Sequence, residues 1–304
     1  MTAKHTSYFK NELTDHAWYF DWVNRLQQLS GHNYQKREVK TDLGKTLIWQ
    51  TGNPQAEKTI VIFPGFRTSA LFWDLDKGLH FLMSDFNIYL VETNGQPNPS
   101  DGNSPSIKLL DYGYWAKQVL NELKIKKTHI AGASFGGLVC MKLAIVAPEK
   151  IQTAFLFNPG CTRFASFGLK NLYYILLPII KPSEKNVRLF LDNVVFAKPN
   201  HQLSKEAENL CVEFEIKAIQ DYKDNTEKPY NMGKQLNTIQ TPTYMLVGDK
   251  DILMPYQKSV ENARKNIPGF KEFILFKNVG HGIETYRPAL EKMKEIICKE
   301  SHLK

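Results

Sequence analysis

The sequence predicts an α/β fold with a mainly parallel sheet, helices on both faces, and an all-helical segment inserted after the sixth strand. Short apolar runs with many β-branched residues alternate with longer segments of helical periodicity, which indicates parallel strands joined by right-handed crossovers. The alternation breaks between residues 161 and 241, where only helical periodicity is found, and it resumes after Pro242. A chain of 304 residues is long enough for one such domain with an insertion.

The strands are predicted from apolar runs that end at glycine, proline or polar residues. The first two flank a short glycine-containing turn at 42–44 and form a hairpin. The later ones are nearly continuous in apolar residues, as expected of strands that are buried on both faces. The predicted strands are 38–41, 45–50, 59–63, 87–91, 128–131, 153–157, 243–247 and 272–276.

The helices are predicted from apolar residues that recur every three or four positions. An aromatic-rich helix with Thr14 as its N-cap precedes the first strand; we expect it to pack on the domain edge, with dimerisation or covering of the site mouth as alternatives. The amphipathic helix at 204–222 places Glu215 and three other glutamates mostly outward. Further helices are predicted at 69–84, 111–124, 168–180, 183–196 and 284–299, with one more after Ser134 and another ending near residue 267.

These elements divide the chain into three regions. We predict an N-terminal helical extension at 1–34, a core at 35–160 and 242–304, and a helical cap at 161–241. The cap is expected to lie over the carboxyl ends of the strands, because open α/β sheets bind their ligands there.

Composition and charge argue against several classes of function. The net charge of +8 is spread along the chain without a dense basic cluster among aromatic residues, so nucleic-acid binding is not predicted. An anionic substrate or a weak attraction to a membrane surface stays open. The start of the chain lacks the apolar region of a signal peptide, and the longest apolar run, Leu172–Ile180, is too short to span a bilayer. We therefore expect a cytoplasmic protein without stable membrane insertion, as a monomer or a homodimer.

The most informative motif lies within Thr128–Cys140, where an apolar run is followed by a G-x-S-x-G sequence and then by residues at helical spacing. Strand, motif and helix in this order predict a sharp turn that exposes the Ser134 hydroxyl above the sheet. The glycines two residues before and after Ser134 let strand and helix pass closely. The motif arises by chance in roughly one chain of this length in ten, so a base, an acid and an oxyanion hole must be found elsewhere.

A base and an acid for Ser134 follow later in the chain, each directly after a predicted strand. His281 lies between two glycines on the loop after the last strand, from which it can reach the edge of the sheet. Two carboxylates, Asp249 and Asp251, follow the preceding strand. We favour Asp251 as the acid because it lies farther into its loop, and expect Asp249 to cap that loop. The chain order Ser, Asp, His is the one expected with such a turn.

An oxyanion hole requires two backbone N–H groups aimed at one point. One is predicted to be that of Phe135, directly after Ser134. The second is expected from the loop after the first buried strand, where Gly65 permits a turn and Phe66 is the chosen donor.

Together these motifs resemble those of capped α/β-hydrolase-fold serine hydrolases, a group that includes bacterial esterases, non-haem haloperoxidase-like enzymes and carbon–carbon bond hydrolases. The resemblance covers about residues 35–300 and implies the α/β-hydrolase fold, with Ser134 as nucleophile, Asp251 as acid and His281 as base. Its motifs are Phe63–Phe66, Gly132–Gly137, Gly248–Asp251 and Gly280–Gly282. The chain departs from the family at Phe63, where histidine is usual, and in residues 1–30, which have no counterpart.

The resemblance implies a two-step acyl transfer without a cofactor. His281 takes the Ser134 proton as Ser134 attacks a carbonyl, and water later clears the acyl-enzyme. Because the base must be neutral, we expect kcat/KM to rise through an apparent pKa around 6–7. No metal site is predicted, since the four cysteines are widely spaced without a metal-ligand pattern.

The predicted substrate is a small or medium acyl ester or thioester. Candidate binding residues are Arg67, after the oxyanion turn, and Phe167, Leu172 and Leu176 of the cap. Packing onto the core is the alternative for the apolar residues, and solvent exposure is the alternative for Arg67. Carbon–carbon bond cleavage or acyl transfer by the same triad stays open, and so does a binding or signalling protein with slow turnover.

Overall fold

One sheet organises the part of the chain described by this computed structural model, which comprises residues 7–160, 162, 169–223, 227 and 230–302. Its strands lie side by side, and neighbours are parallel except in the first hairpin and the pair that follows it. The strands are β1 (Gln35–Thr41), β2 (Gly44–Gly52), β3 (Lys58–Phe63), β4 (Phe86–Val91), β5 (Thr128–Ala133), β6 (Ile151–Phe157), β7 (Thr243–Gly248) and β8 (Phe270–Phe276). Their order across the sheet is β1-β2-β4-β3-β5-β6-β7-β8, and β1–β2 and β2–β4 are the antiparallel pairs.

Helices cover both faces of the sheet. They are α1 (Glu12–Ser30), α2 (Asp111–Glu122), α3 (Phe135–Val146), α4 (Leu169–Ile180), α5 (Glu184–Phe190), α6 (Lys205–Gln220), α7 (Tyr256–Asn266) and α8 (Arg287–His302). Helices α4 to α6 lie between β6 and β7, and a π-helical turn at Leu191–Val195 follows α5. The predicted fold class, a mainly parallel sheet with a helical insertion after the sixth strand, is confirmed. Within the described ranges, no helix is long and apolar enough to cross a membrane.

Alternate side chains of the central strands pack against different helices. Ile60 and Ile62 of β3 share a core layer with residues of α1 and α8, whereas Val61 and Phe63 share one with residues of α2, α3 and α7. All four side chains are fully buried, and each such burial stabilises the fold by about 1.5–3 kcal/mol. The continuous apolar run of β3 therefore reflects a sheet that is covered on both faces.

The single helix predicted over 69–84 is wrong. The structure has two short 3-10 helices there, Ala70–Lys77 and His80–Leu82, with non-helical backbone at Asp76. Asp76 has a positive φ of 55°, and its carboxylate accepts the backbone N–H of Ser204 at 2.7 Å. A contact with the distant segment between β6 and β7 thus overrides the local helical periodicity.

The N-cap of α1 is Asn11 and not Thr14. The Asn11 side chain accepts the Thr14 N–H at 3.4 Å, and the Asp15 carboxylate accepts the Asn11 N–H at 3.0 Å. Asparagine and threonine are both good N-caps. The bond from the Asn11 N–H to Asp15 favours Asn11 and is similar to one half of a capping box, with the acidic residue one position later.

Helix α1 packs between α6 and the sheet. Trp18 Nε1 donates to Glu213 of α6 at 2.9 Å, and Arg25 makes a bidentate ion pair with the same carboxylate. On the other side, the Tyr19 hydroxyl donates at 2.8 Å to Glu92, the residue that follows β4. The helix therefore fastens the insertion to the sheet instead of lying only on a domain edge.

Candidate active site

Ser134 occupies the sharp turn between β5 and α3. Its backbone has φ 49° and ψ −107°, a strained conformation for a residue with a Cβ atom. Glycine is required on both sides, because a Cβ on Gly132 would overlap the Gly136 carbonyl and a Cβ on Gly136 would overlap the Phe63 carbonyl. The Ser134 N–H donates to the Phe157 carbonyl at 2.9 Å, which ties this turn to the end of β6.

His281 and Asp251 are in direct contact. His281 Nδ1 lies 2.8 Å from Asp251 Oδ2, while Asp251 Oδ1 accepts the N–H groups of Leu253 and Met254 at 2.8 Å each. The Asp251 side chain is fully buried, so these bonds fix its orientation. With Nδ1 protonated toward Asp251, Nε2 is the atom of His281 that is left to take up a proton.

Asp249, the alternative acid, contacts the loop after β8 and not the imidazole of His281. Its Oδ1 accepts the Asn278 N–H at 2.6 Å, and Lys277 Nζ lies 3.9 Å from its Oδ2. These contacts secure the loop that leads from β8 to His281. The structure places Asp251, and not Asp249, against the imidazole.

Asn158 joins the strand ends that carry the site. It follows β6, has a positive φ of 40° and is almost fully buried. Its Nδ2 donates to the carbonyl oxygens of Gly280 and His281 at 3.0 Å each, and its Oδ1 accepts the Gly248 N–H at the end of β7, also at 3.0 Å. Asn158 therefore fixes the His281 loop relative to the strand that precedes Asp251, and sequence reasoning missed this role.

Replacing Asn158 with aspartate is expected to weaken both stability and catalysis. An aspartate keeps the shape and tolerates the positive φ, but it cannot donate to the two buried carbonyl groups, a loss of about 2 kcal/mol or more. A displaced His281 is expected to lower kcat on the order of tenfold to a hundredfold. Urea unfolding and ester turnover measure the two effects.

Asn200→Asp is the matched control for this change. Asn200 Nδ2 also donates to two carbonyl groups of the loop after β8, those of Lys277 and Asn278 at 3.1 Å, but this side chain is exposed. Its replacement is expected to have a small effect, since water can satisfy the freed carbonyl groups. Equal losses in the two variants would contradict the role given to Asn158.

The insertion contacts the His281 loop directly. The Gly280 N–H donates to His201 Nδ1 at 3.1 Å, and the Gly282 N–H donates to the Val195 carbonyl at 3.0 Å. A Cβ on Gly280 would overlap that carbonyl, so the approach requires glycine. Burial lowers the pKa of His201 to about 4, and its neutral ring therefore accepts this bond throughout the neutral pH range.

Two further carboxyl groups, those of Glu284 and Glu215, are buried and interact with each other, and Glu284 also interacts with His281. Burial raises the pKa of Glu284 to about 7 and that of Glu215 to about 8. In the described part of the chain, Glu284 Oε2 is buried without a hydrogen-bond partner. The outward position predicted for Glu215 is wrong, because α6 packs against α1, α5 and the 3-10 helix Ala70–Lys77 and is covered on more than one side.

These charges act on His281 and Arg67. Burial alone would lower the pKa of His281, but the charge of Asp251, the hydrogen bond to it and the charge of Glu284 outweigh burial and raise the pKa. Arg67 is partly buried, and its guanidinium lies 5.3 Å from the centre of the Phe66 ring. It interacts with Glu215, so a carboxyl group opposes its charge.

The two residues predicted to be oxyanion donors have side-chain rings in contact. Phe135 is the first residue of α3, and its N–H therefore has no partner within the helix. Phe66 follows β3, and its ring centre lies 6.1 Å from that of Phe135. Their role as donors stays a prediction.

Two of the three predicted apolar substrate contacts do not lie in a buried pocket. Leu172 and Leu176 are on α4 and are 37% and 38% exposed, and Phe167 lies outside the described residues. Their role in substrate binding stays a prediction. In the ranges that the structure covers, no group of three or more His, Cys, Asp or Glu side chains could hold a metal ion.

Comparison with known proteins places this chain in a family. The model of the family described as "Serine aminopeptidase, S33" matches residues 54–285, which is more than half of the chain. The chain belongs to this family. The predicted resemblance to esterase-like α/β-hydrolase-fold serine hydrolases is thereby confirmed, and the chain is an enzyme of this kind.

Relatives of this S33 hydrolase include esterases and a hydrolase of another name. It is 25% identical to carboxylesterase YbfK of Bacillus subtilis over 260 residues, which cover 82% of each chain. It is 28% identical to the 2-hydroxy-6-oxononadienedioate/2-hydroxy-6-oxononatrienedioate hydrolase of Pseudomonas sp over 70% of this chain and 77% of that one. The crystal structure of naproxen esterase from Bacillus subtilis shares the fold, with a TM-score of 0.77, 20% identity, and coverage of 93% of this chain and 97% of that one.

Proposed function

We propose that this S33 hydrolase cleaves small or medium acyl esters or thioesters through an acyl-enzyme on Ser134. The observation that carries the proposal is the 2.8 Å contact of His281 Nδ1 with the buried Asp251 carboxylate. This contact orients the imidazole, so that its Nε2 atom can act as the general base for a serine. That serine, Ser134, lies on a strained turn at the same edge of the sheet. The carboxylesterases among its relatives support an ester as the bond that is cleaved.

The proposed reaction uses His281 to relay one proton in each of its two steps. The Ser134 oxygen attacks the carbonyl carbon while its proton passes to His281 Nε2, and Asp251 stabilises the imidazolium. The N–H groups of Phe135 and Phe66 hold the oxyanion. The proton then passes to the leaving oxygen or sulfur. In the second step His281 takes a proton from the water that attacks the acyl carbon, and it returns this proton to the Ser134 oxygen as the bond to the acyl group breaks and the acid is released.

The charge around the site depends on the protonation of two buried carboxyl groups. Glu284 and Glu215 both interact electrostatically with groups of the site, whereas Arg67 is opposed by Glu215. Because the pKa values of Glu284 and Glu215 are about 7 and 8, both carboxyl groups are ionised only in alkaline solution, where they outnumber Arg67 and a negatively charged acyl group gains no net attraction.

A fluorophosphonate probe and a substrate panel test the proposed function. The probe is expected to label the peptide that contains Ser134, and turnover is expected with p-nitrophenyl esters and acyl thioesters of graded chain length. Labelling without turnover of any ester or thioester would favour carbon–carbon cleavage, acyl transfer or a slow binding protein. Absence of both labelling and turnover would contradict the proposed mechanism.

The pH dependence of kcat/KM is expected to follow the raised pKa of His281. The base must be neutral, so activity increases with pH and reaches half its maximum above about 6.5, the ordinary pKa of histidine. Glu284→Gln is expected to move this midpoint to lower pH, because it removes a charge that favours the imidazolium. The control is Glu272→Gln at an exposed position of β8. An unchanged midpoint in Glu284→Gln would contradict the coupling.

A further inference from the structure

The outward side of α4 is apolar although it faces solvent. No residue between 171 and 180 is charged. The exposed side chains are Leu172, Tyr173, Leu176, Ile179 and Ile180, with exposed fractions from 37% to 77%. At about 100° per residue, they fall within about a third of the helix circumference. A surface helix normally turns polar residues to the side that faces solvent. These five residues, the apolar face of α4, are therefore expected to bind a partner.

The unpaired charges after this face are positive. The acidic residues of α5 and the π-helical turn, Glu184 and Asp192, are paired with basic side chains at 2.9 and 2.8 Å. Lys181 directly follows the apolar face, and Lys185 lies in the first turn of α5. Both are exposed and take part in no ion pair within the described chain. A partner with an apolar region beside negative charges would match both the apolar face and the unpaired lysines.

The size of the face argues against a second copy of the chain. Twelve helical residues extend over about 18 Å, and one side of such a helix offers a footprint on the order of 200 Å². A stable protein interface needs about 800 Å² on each partner. A lipid surface has no such requirement, since the affinity of an interfacial helix grows with each apolar side chain that enters the acyl-chain boundary.

We propose that the apolar face of α4 docks on an anionic phospholipid surface. The leucine and isoleucine side chains enter the boundary between headgroups and acyl chains, and Tyr173 is of the aromatic type that favours this depth. Lys181 and Lys185 contact the headgroup phosphates, at about 1 kcal/mol for each lysine. The docking is peripheral, and this proposal does not depend on whether Ser134 forms an acyl-enzyme.

Co-sedimentation with vesicles tests this docking. The full chain is expected to bind vesicles of mixed phosphatidylglycerol and phosphatidylcholine more strongly than phosphatidylcholine alone. Leu176→Asp is expected to lower the partition coefficient at least tenfold, and Ile180→Asp at the 77% exposed helix end is a second variant with little risk to folding. Leu13→Asp is the matched control, since Leu13 is 83% exposed and lies on α1; it is expected to bind as the wild type does.

Three outcomes would overturn the docking proposal. The first is that the wild type binds neither kind of vesicle. The second is that both α4 variants, shown by circular dichroism to be folded, bind as well as Leu13→Asp. The third is that sedimentation velocity shows a wild-type dimer that Leu176→Asp dissolves, because the face would then belong to a second copy.

Discussion

Replacing Ser134 with alanine is expected to abolish ester turnover while the fold is kept. Loss of the nucleophile of a serine triad lowers kcat by roughly four to six orders of magnitude, because neither the base nor the oxyanion donors can replace it. Alanine also carries a Cβ atom, so the backbone strain at φ 49° remains and the stability changes little. Turnover, probe labelling and urea unfolding measure the three expectations.

Ser134→Gly separates the chemistry from the strain. It also removes the hydroxyl, and is expected to be as inactive as Ser134→Ala. Because glycine adopts a positive φ without steric cost, it is expected to be more stable than Ser134→Ala by about 1 kcal/mol. Ser84→Ala, at an exposed position before β4, serves as the control with normal turnover. Substantial turnover by Ser134→Ala would exclude Ser134 as the nucleophile.

Replacing Asp251 with asparagine is expected to lower kcat about 10⁴-fold, as the same change does in other serine triads. The retained Oδ1 still accepts the N–H groups of Leu253 and Met254. The new amide, however, donates to His281 Nδ1 and forces the proton onto Nε2, which can then no longer accept the Ser134 proton. The variant is expected to fold normally, so steady-state kinetics measure the effect directly.

Asp249→Asn is the control that the chain itself offers. It makes the same chemical change two residues earlier, where the side chain oxygen that accepts the Asn278 N–H is retained. We expect less than a tenfold loss of kcat/KM. A loss in Asp249→Asn that equals or exceeds the loss in Asp251→Asn would reverse the assignment of the acid.

The sequence predicts the sheet well because the composition of each central strand shows that it is buried on both faces. Each is apolar on both faces, so the run in β3 or β6 is visible without knowledge of its neighbours. The positions of Ser134, Asp251 and His281 follow from the same logic, since each comes directly after a parallel strand and parallel strands end at one edge.

The parts that could not be predicted depend on contacts between distant residues. The local sequence around Asn158 predicts only the end of a strand. Its three hydrogen-bond partners are known only once the strands are paired. Glu215 reads as an outward residue of an amphipathic helix, and only the packing of other elements around α6 makes it buried. Asp76 interrupts a helical pattern where its carboxylate accepts the Ser204 N–H, and this contact with a distant residue cannot be predicted from the local sequence.

The position of α1 has a consequence for the synthesis of the chain on the ribosome. Trp18 and Trp22 pack against Phe214 of α6, with ring centres 5.8 and 5.0 Å apart. The ribosome completes α6 roughly 190 residues after α1, which takes roughly 10–40 s at the usual rate of about 5–20 residues per second. During that interval the tryptophans lack their final cover, and the nascent chain is expected to need protection from aggregation until residue 220 has emerged.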